Sequence, residues 1–133
     1  MAFINSMKAC QTAEEFMLGY YERMDKRRHS MSKLHLDGGL LVWNGIPISG
    51  RKPIQEHFLD LPCSEHRLMS LDTLPVMDEI IRLQPQILIL ASGIVRYHPK
   101  STDVVQRSFH QTVVITAQGD KWYIVNDYMS QYN

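Results

Sequence analysis

The sequence predicts an α+β fold in which helices cover one face of an antiparallel sheet. Helical periodicity dominates the first half, whereas the chain from Glu65 onward reads as consecutive strands. In the segment Gln86–Tyr97, side chains alternate between two sets, and both sets are mainly apolar. The next strand begins within about ten residues, too few for a crossover helix, so this strand is expected to be antiparallel. Because an antiparallel sheet normally leaves one face in water, we infer that the helices cover one face and another protein covers the other.

The composition is that of a soluble globular chain, which we take as a single domain over residues 1–133. Fourteen basic residues balance fourteen acidic ones, so no general attraction to nucleic acid or anionic membranes is expected. No apolar run approaches the roughly 18 residues of a membrane span, and the N-terminus has no signal-peptide pattern. Cys10 and Cys63 are expected to be reduced thiols of an intracellular protein.

A stripe of apolar residues predicts the first helix. Its members recur at helical spacing and are Ala13, Phe16, Met17, Tyr20, Tyr21 and Met24. The helix start stays open between Asn5 or Ser6 and a capping box formed by Thr12 and Glu15. The helix is expected to end near the basic run 26–29, where cations complement the helix dipole. A nucleic-acid or localisation role is the alternative for this short run.

Shorter elements are expected before residue 65. They are a helix capped by Ser30, a strand Leu40–Trp43, a returning arm Ile46–Ile48 and a third helix from Ser49 or Gly50 to Leu61. Gly38-Gly39 is expected to break the chain between the second helix and the strand. Asn44-Gly45 is a hairpin turn signal.

The rest of the chain is predicted as four long strands. They are His66–Val76, Gln86–Tyr97, Arg107–Ala117 and Trp122–Tyr132. Parity places Trp122 and Ile124 on one face with Tyr128, but a β-bulge would shift this assignment by one residue. One face mixes apolar, aromatic and small polar groups, as protein interface cores do. We predict that its partner-binding residues are Leu88, Leu90, Ser92, Ile94, Arg96, His110, Thr112, Val114, Thr116, Asn126, Tyr128 and Ser130.

Several short motifs occur in the order in which one protein family has them. They are Ala13-Glu14-Glu15-Phe16, Tyr20-Tyr21, Met24-Asp25-Lys26-Arg27-Arg28, Leu41-Val42-Trp43-Asn44-Gly45, Leu61-Pro62-Cys63-Ser64, Gly93-Ile94-Val95-Arg96-Tyr97, Gln111, Thr116-Ala117-Gln118 and Trp122–Asp127. Over about residues 7–129 the chain resembles the nuclear transport factor 2-like proteins, and among them the export-related subclass. The resemblance implies a cone of three N-terminal helices on a strongly curved antiparallel sheet.

The resemblance also implies a function. Similarity to the export-related subclass implies a non-catalytic small subunit, whose open sheet face docks on the matching domain of the large subunit of the mRNA export receptor. The large subunit carries RNA, so this chain would meet RNA only indirectly. The heterodimer would contact Phe-Gly nucleoporins and shuttle between nucleus and cytoplasm. No cofactor, metal or membrane is implied.

Two departures from the family pattern bear on the partner. The parent transport factor holds Ran-GDP with a Glu after its Trp and with acids after the strand that matches Gln86–Tyr97. Here Asn44 follows Trp43 and His98-Pro99-Lys100 replaces the acids, so we expect no Ran binding. A homodimeric Ran-GDP import factor stays an alternative on fold analogy. The export subclass usually has Phe-Arg where this chain has Met129-Ser130, so the Arg that would reach a large-subunit carboxylate is absent.

An enzyme is the second functional class, because the same cone fold hosts isomerases, dehydratases and epoxide hydrolases. The candidate residues are Tyr20, Tyr21, Asp37, Asp72 and Asp127. A general base needs a raised pKa and a partner aimed at the substrate, and the sequence spacing pairs none of these residues. The tyrosines occupy helix-stripe positions, and Asp127 fits a satisfied polar residue inside the cone. The six histidines show no close pair at metal-ligand spacing.

Overall fold

The computed structural model describes residues 6–76 and 85–133. Helix α1 is Ser6–Lys26, a 3-10 helix follows at Arg28–Leu34, and helix α2 is Arg51–Asp60. The strands are β1 His35–Trp43, β2 Ile46–Ser49, β3 Cys63–Val76, β4 Gln86–His98, β5 Val105–Gln118 and β6 Lys121–Tyr132. The predicted α+β class is confirmed. Neither α-helix within the described ranges is both long and apolar enough to cross a membrane.

The six strands form one sheet in the order β2-β1-β6-β5-β4-β3. Strands β3 to β6 are an antiparallel meander, as the short links predict. The prediction of a wholly antiparallel sheet is wrong, because β1 pairs with β6 in parallel. A short link determines the relative direction only of strands that follow each other in the chain. β1 and β6 are the first and the last of the described strands, so no short link joins them.

The helices are only partly N-terminal, so the prediction of three N-terminal helices is wrong. Helix α2 follows the hairpin of β1 and β2 because the Asn44-Gly45 turn, with φ values of 48° and 85°, closes that hairpin first. Gly38-Gly39 does not break the chain but lies inside β1, at the register irregularity between His35 and Leu40.

Helix α1 begins earlier than one of its two expected limits. It is helical from Ser6, so Thr12 and Glu15 lie within its body and do not form a capping box at its start. Asn5, the other candidate cap, lies outside the described residues. The basic run closes the helix, with Arg23 and Lys26 in its last turn, as the dipole argument predicts.

The core lies between the helices and one face of the sheet. Alternate residues of β4, among them Ile87, Ile89 and Val95, are fully buried on that face. Met17 and Tyr20 of α1 belong to the same buried cluster. The helices therefore cover only the odd-numbered side chains of β4, and the even-numbered ones point to the other side.

Candidate functional site

The open face of the sheet is the face that α1 and α2 leave uncovered. Side chains of directly paired residues lie on the same face, so the register defines rows across it. From β3 to β6 the rows are Leu74–Leu88–Val114–Asn126, Asp72–Leu90–Thr112–Tyr128 and Ser70–Ser92–His110–Ser130. Two further pairs, Ile94 with Ser108 and Arg96 with Gln106, extend the face along β4 and β5.

Large apolar side chains stand partly free on this face. Leu74 is 60% exposed, Leu90 is 48% exposed and Tyr128 is 44% exposed. Leu88 and Val114, in the row of Leu74, are half-buried. A contiguous apolar patch with a polar border is the usual mark of a protein interaction site.

Eleven of the twelve predicted partner-binding residues reach the surface of the open face. Arg96, His110 and Ser130 are exposed, and most of the remaining residues are half-buried. Thr116 does not reach the surface, because it is 2% exposed and its hydroxyl donates to the Pro85 carbonyl at 3.3 Å. Thr116 therefore cannot contact a partner on the open face, contrary to the prediction.

A β-bulge corrects the face assignment at the start of β6. The register of β5 against β6 slips between Val114 and Ile115, so Val125 is an extra residue in β6. Before the bulge, Ile124 is fully buried and Trp122 packs on the core beneath the helices. After the bulge, Tyr128 lies on the open face. The expectation that these three residues share one face is wrong by the one-residue shift that a bulge causes.

The sequence analysis missed part of the open face. Leu40 and Val42 of β1 pair with Asn126 and Tyr128, so the face continues onto β1. Leu74 on the edge strand β3 was also missed. The predicted part of β1, Leu40–Trp43, is too short for a clear alternation, and the position of β1 beside β6 depends on pairing between strands that are distant in the chain.

On the other side of the sheet, the structure brings together three of the five enzyme candidates. The Tyr20 hydroxyl donates to Asp127 Oδ2 at 2.8 Å, and Gln111 Nε2 donates to Asp127 Oδ1 at 2.8 Å. The Tyr21 hydroxyl donates to Gln111 Oε1 at 2.8 Å. Asp37 lies elsewhere, in an ion pair with Arg51, and Asp72 lies on the open face.

The carboxylate of this buried cluster is inaccessible to a substrate. Asp127 is 0% exposed, and each of its oxygens already accepts a hydrogen bond. Burial raises the pKa of Asp127 to about 6, although the hydrogen bonds from Gln111 and Tyr20 act in the opposite direction. A raised pKa is typical of a general base, but a base must also reach its substrate. In this arrangement Asp127 ties helix α1 to the middle of the sheet.

A second polar cluster joins the end of α1 to the start of β3. The Arg28 guanidinium donates to the carbonyls of Leu61 and Pro62, the latter at 2.7 Å, and to Ser64 Oγ at 2.9 Å. Ser64 Oγ in turn donates to Asp25 at 2.7 Å. Arg28 is thus a structural clamp, a role that the sequence analysis missed because its acceptors lie more than 30 residues away.

The residues that replace the family's acidic positions have local roles. Asn44 Oδ1 accepts a hydrogen bond from the backbone N–H of Gln131 at 2.7 Å, which fixes the hairpin turn against β6. His98 Nε2 lies 2.5 Å from Glu65 Oε1 on the neighbouring strand. Among the described residues, no three His, Cys, Asp or Glu side chains cluster as metal ligands. Cys10 and Cys63 are exposed free thiols.

Comparison with known proteins places the chain among relatives of similar length. The nuclear transport factor 2 (NTF2) domain model matches residues 12–131. The chain is 38% identical over 124 residues to NTF2-related export protein 1 of Bos taurus, which covers 90% of this chain and 86% of that protein. It is 36% identical over 120 residues to NTF2-related export protein 2 of Mus musculus, with coverage of 90% and 84%.

Solved structures agree in fold. Nuclear transport factor 2 from Cryptosporidium parvum superposes with a TM-score of 0.78 at 16% identity, over 98% of this chain and 99% of that one. A chain from the Candida albicans Mtr2-Mex67 M domain complex superposes with a TM-score of 0.72 at 14% identity, over 92% and 95%. The six-stranded mixed sheet, the domain match and the export-protein relatives lead to one conclusion: the chain belongs to the nuclear transport factor 2 family.

Proposed function

We propose that this chain is the non-catalytic small subunit of the mRNA export receptor, which heterodimerises with the large subunit and stabilises it. The observation that carries the proposal is the open sheet face, with Leu74, Leu90 and Tyr128 each more than 40% exposed. The relatives named NTF2-related export proteins support an export role. A solved complex of Mtr2 with the Mex67 M domain supports pairing by a chain of this fold.

The arrangement of apolar and polar side chains on the face fits a specific heterodimer. Its rows span four strands from β3 to β6 and continue onto β1. Stable interfaces bury about 800 Å² on each partner, with an apolar centre and a polar border. The apolar side chains lie in the first two rows, whereas Ser92, His110 and Ser130 form the polar third row. The large subunit, through its matching domain, is the partner we propose for this face.

The heterodimer gives the chain its place in transport. In this proposal the large subunit carries the RNA, and the chain contacts RNA only through it. The pair engages Phe-Gly nucleoporins and shuttles between nucleus and cytoplasm. Import of Ran-GDP is disfavoured because Asn44 is engaged in the hairpin turn and His98 stands beside Glu65, where the transport factor presents carboxylates.

The buried cluster supports a non-catalytic role. An enzyme of this fold would need the Tyr20–Asp127 pair to line an accessible cavity. Both side chains are at most 1% exposed, and the Asp127 oxygens are already hydrogen-bonded within the chain. The pair therefore acts as a structural bond between α1 and β6.

The test is co-expression with the large subunit's NTF2-like domain from the same organism. Ile94→Asp and Val114→Asp each place a charge in the open face, so we expect the complex to be lost while the melting temperature of the chain alone changes little. Leu18→Asp is the matched control, because Leu18 is 53% exposed on α1, on the other side of the molecule. Survival of the complex in both open-face variants would show that the partner binds elsewhere.

The chain on its own provides a second test. An uncovered apolar face favours self-association, so sedimentation at increasing concentration is expected to show reversible oligomers. The large-subunit domain should suppress them by occupying the same face. A strictly monomeric chain at millimolar concentration would contradict the proposal.

A further inference from the structure

Asp72 is a carboxylate on the open face for which no described residue supplies a countercharge. Its Cα pairs with that of Leu90, and its side chain is exposed. The ion pairs formed by the described residues do not include Asp72. The cations of this face, Arg67 and Arg96, lie several residues further along β3 and β4, on the far side of the Ser70–Ser92 row.

The structure places Asp72 at the edge of a depression of about 290 Å³ in the open face. The lining residues are Ser70, Asp72, Leu90, Ala91, Ser92, His110, Gln111 and Thr112. Asp72 supplies the only carboxylate of this lining. Ser70 and Ser92 are hydrogen-bonded to each other, and His110 Nε2 is bonded to the Tyr132 hydroxyl at 2.9 Å. None of the described residues donates a hydrogen bond to the carboxylate of Asp72, which is left to water.

Docking of a partner would remove this carboxylate from water. Burial of an ionised carboxylate without a partner is strongly unfavourable, because the charge loses its hydration. The cost is offset only when the partner brings a cation with hydrogen-bond donors. A guanidinium suits the site, because its planar fork can donate to a carboxylate with two N–H groups and still reach a neighbouring hydroxyl.

We propose that Asp72 is a specificity-determining residue of the docking face, and that the large subunit presents an arginine or lysine to it. This inference rests on the proposed function. In the proposed ion pair across the interface, this chain supplies the negative charge and the large subunit supplies the positive charge. Tyr128 is the β6 residue in the row of Asp72, and Ser130 lies in the next row, where its hydroxyl adds no charge.

The test measures binding of the large-subunit NTF2-like domain by calorimetry at low and high salt. Asp72→Asn is expected to weaken binding at least tenfold, and Asp72→Lys at least a hundredfold, because the lysine places a like charge opposite the partner's cation. Glu14→Lys is the matched control: Glu14 is exposed on α1, away from the open face, and its variant carries the same change of charge. The salt dependence of the wild-type complex should be reduced in Asp72→Asn.

A charge swap identifies the partner residue. Lysines and arginines on the sheet face of the large subunit are each changed to Glu, and one of these variants is expected to restore binding to Asp72→Lys. Wild-type affinity in both Asp72 variants would overturn the inference while leaving the proposed function intact. Absence of any wild-type complex would overturn both. A homodimer of this chain that persists in excess large-subunit domain, and that Asp72→Lys disrupts, would also overturn it, by showing that a second copy covers the face.

Discussion

Replacing Asp127 by asparagine tests whether this carboxylate is a structural bond that carries an electrostatic cost. The introduced amide has nearly the same shape and no charge. Its oxygen can accept from the Tyr20 hydroxyl, and its nitrogen can donate to Gln111 if the Gln111 side-chain amide flips. The flipped amide then donates to the Tyr21 hydroxyl, so every buried polar group keeps a partner.

The size of the effect follows from the pKa. The pKa of Asp127 rises from 3.8 to about 6, mainly because burial penalises the charged form. Each pKa unit corresponds to about 1.4 kcal/mol, so charging this group in the folded protein costs about 3 kcal/mol more than in the unfolded chain. At neutral pH the free energy of unfolding of the asparagine variant is therefore expected to exceed that of the wild type by up to about 3 kcal/mol.

The size of this stability difference depends on pH. Between pH 3.8 and about 6 the unfolded chain releases this proton first, so the folded state binds more protons and loses stability as pH rises. The advantage of Asp127→Asn should grow from about 1 kcal/mol at pH 4.5 to about 3 kcal/mol at pH 7.5. His35 acts oppositely, since burial lowers its pKa to about 4 and its contribution is lost as pH falls from 6.5. The contribution of Asp127 is therefore obtained from the difference in free energy of unfolding between variant and wild type, in which the contribution of His35 cancels.

Urea unfolding at a series of pH values measures this difference. Asp103→Asn, an exposed carboxylate on the β4–β5 connection, is the control and should change stability by less than about 0.5 kcal/mol at every pH. A difference that does not vary between pH 4.5 and 7.5 would refute the reasoning. So would an asparagine variant that is less stable than wild type at pH 7.5.

Three further predictions concern the fold. Gly93→Ala is expected to destabilise by about 3 kcal/mol or more in thermal unfolding, because the added Cβ would overlap the Arg67 carbonyl and meet the Phe109 ring at 2.9 Å. Arg28→Lys should cost about 2–4 kcal/mol in urea unfolding, since one ammonium cannot satisfy all four acceptors of the guanidinium, which are Ser64 Oγ and the carbonyls of Met24, Leu61 and Pro62. His35→Phe should flatten the loss of stability between pH 6.5 and 4; an unchanged acid limb would exclude His35 as its cause.

Local patterns were enough to predict the two-sided character of β4. Ile87, Ile89 and Val95 are buried under the helices, while Leu90 between them is half exposed on the other side. This outcome follows from the two-residue period of a strand, which any sheet preserves. The same period failed at the start of β6, because the bulge at Val125 moves Trp122 and Ile124 to the helix side, and a bulge leaves no mark in the alternation of one strand.

The buried cluster could not be predicted from spacing. Tyr20 and Asp127 are 107 residues apart in the chain, and Gln111 joins them only because β5 and β6 pair in one particular register. The clamp by Arg28 has the same origin, since its acceptors lie in the link between α2 and β3. Asp72 was considered only as a catalytic candidate, and its position on the docking face became visible with the pairing of β3 and β4.

Local patterns in the sequence were enough to predict the approximate positions of most helices and strands, the antiparallel meander of β3 to β6, and the apolar character of both faces of β4. These properties follow from side-chain periodicity and link length, which act over a few residues. Three features became visible only in the folded molecule: the parallel pairing of β1 with β6, the bulge in β6 and the hydrogen bond between Tyr20 and Asp127. These features depend on contacts between distant segments, whose free energy is gained only when the whole sheet has assembled.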